Sequence, residues 1–492
     1  MEQHEVDLLI IGAGPAGATI AGEAARVGAR VLAAEKRTGD SPSRAGVIQP
    51  RVLEQLDNRD LMGRFRDAAA DWRPDFEIPL YMYAGLGPLR YDLLDSDYPY
   101  ALVMPQTTTE HLLRAWAAEQ GADIRRGLKY VSHVDEGDRV VAKLVDLEGG
   151  EHTVTAKYMV GADGAHSNVR TNAGIPFEGR ENTLTAISVD ADLSFPWPLG
   201  MQMNRNQHGW VLSYPFGTNT TRFIIVSEAS RNIPTSVEPT LEEVKTELRK
   251  ILEEEMTFTT VQRMSRYGNA HKMTPTMQKG RVFLCGESTR VHYPASGIGM
   301  NYCIQDGFNL GWKLGAVING SADESLLDTY DSERHPVLQA MMDDVETQTT
   351  LHFDFSEGGL KLKDFVEQNL VPIPEVNNIL RRRLTGFGTS YEHEGATHPA
   401  NGRRVPKLPL DDGRRYGQIA TTADFVLIDS AEGSRAIDTI AHGISSALPG
   451  TDGLEGAVTI LVRPDGYVAR AWAARPSDED VLEARRAALQ LA

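Results

Sequence analysis

Gly12, Gly14 and Gly17 stand at the G-x-G-x-x-G spacing, directly after an apolar run at residues 6–11. Residues of this kind handle phosphate through their backbone. Gly12 permits a tight turn, Gly14 lets the backbone approach a pyrophosphate, and Gly17 brings the following helix close to a sheet. Pro15 and Ala16 lie within the same turn, and Ala16, Ile20, Ala24 and Val27 recur at helical spacing. The unpaired N–H groups of such a helix N-terminus, together with its dipole, attract phosphates. A second apolar run at residues 31–34 ends in Glu35, placed to accept a ribose hydroxyl, with Lys36 next to it. An acid there suits the unphosphorylated ribose of FAD or NAD over that of NADP. A glycine triplet alone is equally a tight turn in an ordinary α/β domain. Strand, helix, second strand and terminal acid in agreement favour a bound dinucleotide.

Other stretches invite chemistry less directly. Arg44, Ala45 and Gly46 form either a plain connection or a flexible cover over a cofactor. Gln106 precedes a helix for which Thr107 or Thr108 is the expected cap, with Glu110 completing a capping box. On those residues alone Gln106 reads as surface. The hairpin at residues 139–160 runs into G-A-D-G-A-H-S-N-V-R, where Asp163 either stabilises a turn or meets a ligand. Gly286, Pro294, Gly297 and Gly299 form a Gly/Pro-rich stretch that lets backbone run against a flat ligand.

The elements that must position these residues come from a chain of 492 residues, enough for two or three domains. Its net charge is −18, with no dense basic tract, which argues against nucleic acid as the main partner. Two cysteines, Cys285 and Cys303, give no disulfide framework and fit a reducing cytoplasm. The first strand begins within a few residues of Met1, leaving no room for a signal peptide, and no run is long enough to span a membrane. Strands are expected near residues 76–91, divided by a turn at 85–88, and at 184–189, 209–214 and 221–226, with an amphipathic helix at 241–254. Tyr81, Tyr83, Met201, Met203, Trp210, Tyr214 and Phe216 are candidates to line a pocket, although strand alternation must turn some of them away.

Three motifs together carry a resemblance. They are the opening glycine unit, G-A-D-G-A-H-S-N-V-R at 161–170, and R-V-F-L-C-G-E-S-T-R-V-H-Y-P-A-S-G-I-G-M-N-Y-C at 281–303, continuing to residue 314. In order and separation the chain resembles the single-component FAD-dependent aromatic hydroxylases, the group of p-hydroxybenzoate hydroxylase and the actinomycete polyketide-tailoring enzymes. The resemblance covers roughly the first 340 residues and is loose beyond them.

That resemblance implies an α/β chain, α+β overall. A Rossmann-like FAD-binding domain (1–175 and 271–390) would carry an inserted substrate sheet (176–270, with strands from 73–104) and a thioredoxin-like domain (391–492). It implies FAD as cofactor and NADPH or NADH as co-substrate. By the family's chemistry NAD(P)H would reduce FAD, O2 would add at flavin C4a, and the distal oxygen would pass to an aromatic substrate, expected to be a polycyclic polyketide. A Baeyer–Villiger oxygenation of a polyketide on the same scaffold is the nearest alternative, and a non-catalytic FAD-binding protein is the other. It moves Arg44, Ala45, Gly46 and Gln106 to the cofactor, gives Asp163 a part in FAD binding and NAD(P)H access, and sets Glu287 against the ribityl and phosphate part. Gly299, Met300 and Asn301 are expected to hold the flavin by backbone contacts. Arg290 and Tyr293 depart from the usual His and Pro of the family pattern. No catalytic base is assigned and no metal is expected, His393 and His398 beside Glu394 being the nearest approach to a ligand set. A monomer or homodimer is expected. Pro336 is expected to kink or restart a long helix, residues 385–411 to form a linker, and the cysteine-free tail to have no disulfide exchange.

Overall fold

The computed structural model describes residues 2–40, 45–73, 75–198, 200–217, 219–391, 398–430, 437, 440–451 and 453–491. Its central sheet grows from strand β1 (Glu2–Ile11), which pairs in parallel with β2 (Val31–Glu35) on one side and β3 (Glu151–Gly161) on the other. Val282–Leu284 extends the sheet beyond β3, and Asp123–Arg126 extends it beyond β2, both parallel. Alternate residues explain why the opening run is apolar throughout. Leu8, Ile10, Val31 and Ala33 pack toward helix α1 (Pro15–Ala25), while Leu9, Ile11, Leu32 and Ala34 pack beneath Tyr130, Val140 and Ala142. A sheet covered on both faces leaves no polar side.

Helix α2 (Gly299–Ile318) lies against α1 with little between the backbones. A Cβ on Gly307 would stand 2.9 Å from the carbonyl of Ala16, and one on Gly311 would stand 2.6 Å from the Glu23 Cβ. Glycines four residues apart give α2 a flat face, and that face fixes where its N-terminus points. Helix α3 (Asp328–Phe353) follows and continues unbroken through Pro336, so of the expected kink or restart the restart does not occur. Arg334 and Leu338 on either side are fully buried, and this packing outweighs one lost backbone hydrogen bond.

A second sheet, five-stranded and antiparallel, runs in the order Gln202–Asn206, Gly209–Pro215, Thr220–Ser227, Thr185–Leu193, Phe258–Gly268. Its outer face packs Ile187, Val211, Phe223 and Ile225 beneath Val244, Leu248 and Ile251 of the helix Leu241–Leu252. The two strands without a clear sequence signal, Gln202–Asn206 and Phe258–Gly268, are the two edges. Edge strands are half solvated and carry polar side chains, which hides them from an apolar-pattern reading. Leu80–Tyr83 and Leu86–Arg90 form a hairpin; the second strand starts at Leu86, inside the expected turn.

The tail forms a four-stranded sheet in the order Ala441–Ile444, Val426–Asp429, Thr459–Val462, Val468–Trp472, its first pair parallel and the others antiparallel. Ala400, Val405, Leu408 and Leu410 are buried in its core. Residues 398–410 are thus packed structure, and the linker expected over 385–411 is corrected to that extent. Phe425, Leu427 and Leu461 meet Trp312 and Ala316 of α2, so the tail sits directly on that helix.

Candidate active site

The glycine turn has the form its sequence predicts. Gly12 holds a φ of +101°, and a Cβ there would stand 2.3 Å from the carbonyl of Ala162. Gly17 is tighter, its Cβ position 1.9 Å from the carbonyl of Gly12. Gly14 is the exception: a Cβ there meets no protein atom within 4 Å. Two glycines are therefore required by the fold and the third faces open space. Pro15 opens α1, and no side chain caps the helix. Its first N–H groups are thus left for an anion. Glu35 accepts from the N–H of Ala13 at 3.1 Å and from that of Arg37 at 2.9 Å, so its carboxylate lies at this turn. Lys36 is exposed.

Gln106 is the first residue of the helix Gln106–Glu119, whose cap is Pro105; the expected Thr cap and capping box do not form. Pro105 already fixes the backbone entry, and the Gln106 side chain takes over the local bonding. Its Oε1 accepts from the N–H of Ala45 at 3.2 Å, and its Nε2 donates to Glu110 at 2.7 Å. Gln106 thereby ties down the Ala45–Gly46 segment. A Cβ on Gly46 would press on the Phe216 ring at 2.8 Å. Arg44, His393 and Glu394 lie outside the described residues; His398 is buried, its Nδ1 accepting from Ala400. Arg114, which the sequence reading passed over, donates to the carbonyl of Ala13 at 3.3 Å and pairs with Glu110. The signal was present: positions 106, 110 and 114 share one helix face.

Asp163 accepts from Ser167 Oγ at 2.5 Å and from the N–H groups of Asn168 and Val169 at 2.8 and 3.3 Å. It holds the turn into the short helix Asn168–Asn172 while remaining half-buried. Across residues 282–290, Glu287 alone is exposed, with buried neighbours on both sides. Gly286 beside it has a φ of +69°.

The loop before α2 is fixed from three directions. Asn301 accepts from the N–H of Gln49 at 2.7 Å and donates to the carbonyls of Val47 and Gly297, both at 3.0 Å. Ser296, at a φ of +49°, donates to Gln348 at 2.6 Å, and Gln348 in turn donates to Asp344 at 2.9 Å. Pro294 is exposed, Gly297 and Gly299 are half-buried, and Met300 is buried among the residues around Ile304 and Phe308. His292 faces the start of α2, its Nε2 3.2 Å from where a Gly299 Cβ would be. Its Nδ1 is 2.8 Å from the carbonyl of Tyr293, which can only accept, so the proton sits on Nδ1 and Nε2 offers a lone pair. Burial pushes its pKa down to about 4, and the ring is neutral near pH 7.

A cavity of ≈ 800 Å3 opens between the hairpin and the antiparallel sheet, with Tyr81, Met201, Met203 and Tyr214 on its walls. Tyr81 donates its hydroxyl to the carbonyl of Ser296 at 3.0 Å, linking this cavity to the loop before α2. Three other candidates face elsewhere. Trp210 shares a face with Tyr214, but its indole donates to the carbonyl of His352 at 2.9 Å and its ring lies 4.6 Å from that imidazole. Phe216 is buried against Trp72 and beneath the Arg222 guanidinium, 3.6 Å from its ring. Tyr83 turns its hydroxyl to Asp344.

The residues present fit a flavin dinucleotide: the space at Gly14, the uncapped α1 and the outward Glu287 form one cradle. Comparison with known proteins agrees. A family model described as FAD binding domain matches residues 5–345, and one described as aromatic-ring hydroxylase, C-terminal, matches residues 398–490. The chain belongs to this family of FAD-dependent aromatic-ring hydroxylases, and FAD is its cofactor. It is 34% identical to a Bacillus subtilis protein named uncharacterized aromatic compound monooxygenase YhjG, over 97% of this chain and 96% of that one. It is 33% identical to the 12-dehydrotetracycline 5-monooxygenase/anhydrotetracycline 6-monooxygenase of Streptomyces rimosus, over 96% and 95%. The solved structure of the OxyS anhydrotetracycline hydroxylase from Streptomyces rimosus superposes with a TM-score of 0.84 at 31% identity, covering 98% of this chain and 99% of that chain. Among the described residues no helix is long and apolar enough to cross a membrane, and no cluster of metal-ligating side chains occurs.

Proposed function

We propose that this enzyme hydroxylates a ring carbon of a polycyclic aromatic polyketide, using O2 and NADPH or NADH. The observation that carries the reading is the ≈ 800 Å3 cavity walled by Tyr81, Met201, Met203 and Tyr214 and tied through Tyr81 to the loop before α2. A space of that size suits several fused rings, with Tyr81, Met201, Met203 and Tyr214 for their faces and charged side chains such as Arg73, Arg205 and Glu367 also on the lining for polar substituents. The tetracycline-ring activity in the Streptomyces relative's name supports the substrate class.

Bound FAD supplies the redox chemistry, accepting reducing equivalents and activating O2. The chain does the rest. The N-terminus of α1, Glu35 and Arg114 hold the dinucleotide, Ala45, Gly46 and Gln106 cover it, and Glu287 meets its ribityl and phosphate part. The backbone at Gly299, Met300 and Asn301 receives the ring, and the positive end of α2 favours negative charge there. Neutral His292 offers a hydrogen-bond acceptor at the same place. Tyr81, whose hydroxyl stays on the Ser296 carbonyl, and Tyr214 flank the substrate rings together with Met201 and Met203. Residues 1–175 and 271–390 act as the cofactor unit, 176–270 as the substrate layer, and 391–492 as a thioredoxin-like unit without redox residues. The enzyme works in the cytoplasm as a monomer or homodimer.

The test is a screen of anthraquinone- and angucyclinone-type compounds under labelled O2. NAD(P)H oxidation should rise sharply with the right compound, and the product should carry one labelled oxygen as a ring hydroxyl. A lactone would replace hydroxylation with a Baeyer–Villiger reaction, and label arriving from water would overturn both.

A further inference from the structure

We propose that Arg290 is a positioning residue for the cofactor, bracing the Gly286–Glu287 turn from behind. The proposal rests on the reading of Glu287 as an FAD contact. Arg290 occupies a position where the family pattern has His, and nothing in its sequence neighbourhood shows what it does. In the structure it is fully buried and points away from solvent. Its Nη1 donates to Asp306 Oδ2 at 2.8 Å, to Thr289 Oγ1 at 3.2 Å and to the carbonyl of Gly286 at 3.3 Å. Asp306 is shared. Arg334 reaches its other oxygen, Nε at 2.8 Å and Nη2 at 2.7 Å, and donates from Nη1 to the Tyr391 hydroxyl at 3.1 Å.

Stability alone does not account for this triad. All three groups are 0% exposed, and two guanidiniums against one carboxylate leave a net positive charge in the interior. Removing such charges from water is costly, and apolar residues of similar volume commonly serve a core better. The neighbouring buried cluster does not offset it, because Glu333 and Asp465 there are balanced by Lys313 and Arg463. What the triad touches explains its retention. Its contact to a main-chain carbonyl is at Gly286, whose φ of +69° turns the chain so that Glu287 faces out. Nη1 alone meets the aspartate, the Thr289 hydroxyl and the carbonyl, while Nη2 turns to Cys303 Sγ at 3.8 Å, so the rigid guanidinium plane sets where that one nitrogen stands against the Gly286 peptide.

The test is FAD titration of the full-length protein, stripped of flavin and followed by fluorescence quenching, alongside thermal melts of the stripped protein. Arg290→Met leaves a neutral Asp306–Arg334 pair and is expected to fold, with a Kd for FAD raised about tenfold. Arg334→Met removes the same charge from the same carboxylate but spares the Gly286 contact, and should stay within about threefold of the parent. Arg290→Lys keeps a positive charge beside Asp306 but loses the planar group that sets Nη1 against Gly286, and should also bind more weakly, which covers the case in which the Met variant fails to fold. A purely structural role would lower both melting points and shift both Kd values alike, overturning the proposal. An unchanged Kd in folded Arg290→Met or Arg290→Lys would do the same. Glu287→Gln separates the underlying reading. If it binds FAD like the parent, Glu287 is no contact and both fall; if it weakens binding while the Arg290 variants do not, the brace alone is wrong.

Discussion

Arg463, in the turn between the last two tail strands, forks onto Glu333 of α3, its terminal nitrogens 2.6 and 2.9 Å from the two carboxylate oxygens. Both side chains are buried. Lys313 of α2 reaches the same carboxylate at 2.8 Å, and Arg463 also holds Asp465 of its own turn. Burial alone would raise the Glu333 pKa, but Arg463 and Lys313 outweigh it and hold the carboxyl ionised well below its usual range. The Pro464–Tyr467 turn is thus driven into the cofactor domain, with Arg51 donating to the carbonyls of Asp465 and Gly466 at 3.0 and 3.1 Å.

Arg463→Met should therefore cost about 3–5 kcal/mol, because it leaves Glu333 short of a cation and Asp465 without one. Urea denaturation of the full chain checks this, and flavin release should follow the same transition, since α2 carries both Lys313 and the Gly299 end. A chain cut before Tyr391 should fail to hold flavin for the same reason. A loss below about 1 kcal/mol would mean that the pair is solvated and weak.

The pH dependence follows from two histidines, His292, half-buried, and His352, buried. Burial pushes the pKa of His292 down to about 4 and that of His352 to about 3, against 6.5 for a free imidazole. Between those values the unfolded chain binds protons that the folded chain does not. Stability is then gained as pH rises to about 6.5 and lost on acidification below it, by up to about 1.4 kcal/mol per pH unit for each ring. Urea midpoints measured at a series of pH values below neutrality give the slope. His352→Phe should flatten it by about one proton while sparing the Trp210 bond, which goes to the backbone. An unchanged slope would place the titration elsewhere.

Asp163 separates holding a turn from moving electrons. Asp163→Ala removes the acceptor for Ser167 Oγ and for two N–H groups, and should cost about 0.5–2 kcal/mol. If the side chain also serves NAD(P)H access, stopped-flow traces should show flavin reduction slowed more than the reaction with O2. Equal slowing would leave it as a turn residue.

What could be read in the chain divides along the range of the interactions. The unit from β1 to Glu35 is local: apolar runs, three glycines and one helix period specify it within about thirty residues. The polar edge strands Gln202–Asn206 and Phe258–Gly268 gave no such signal, since each has only one neighbour. Alternation puts Trp210 and Tyr214 on one face, yet it cannot show that α3 brings His352 over the first and leaves the second on the cavity wall. Arg290 was visible only as an exception. Its explanation lies with Asp306, 16 residues further on, and Arg334, 44 residues further on, and local patterning carries no record of either.

Gly14 offers the sharpest test of the cofactor cradle, because the protein itself places no demand on it. Its φ is −73°, open to any residue, and an added Cβ meets nothing within 4 Å. Gly14→Ala should leave the melting point of the flavin-free protein within about 1 °C, and Gly14→Val should shift it little more. Both should bind FAD progressively worse, because the new side chain projects where the pyrophosphate must approach the backbone. Gly17→Ala is the contrast. Its methyl would lie 1.9 Å from the carbonyl of Gly12, so the turn itself must move and the flavin-free protein should melt earlier. Loss of FAD at unchanged apoprotein stability is the signature of a ligand-facing glycine. Gly14→Val protein that still binds flavin like the parent would move the pyrophosphate away from this turn, and the cradle described above would have to be rebuilt around another helix N-terminus.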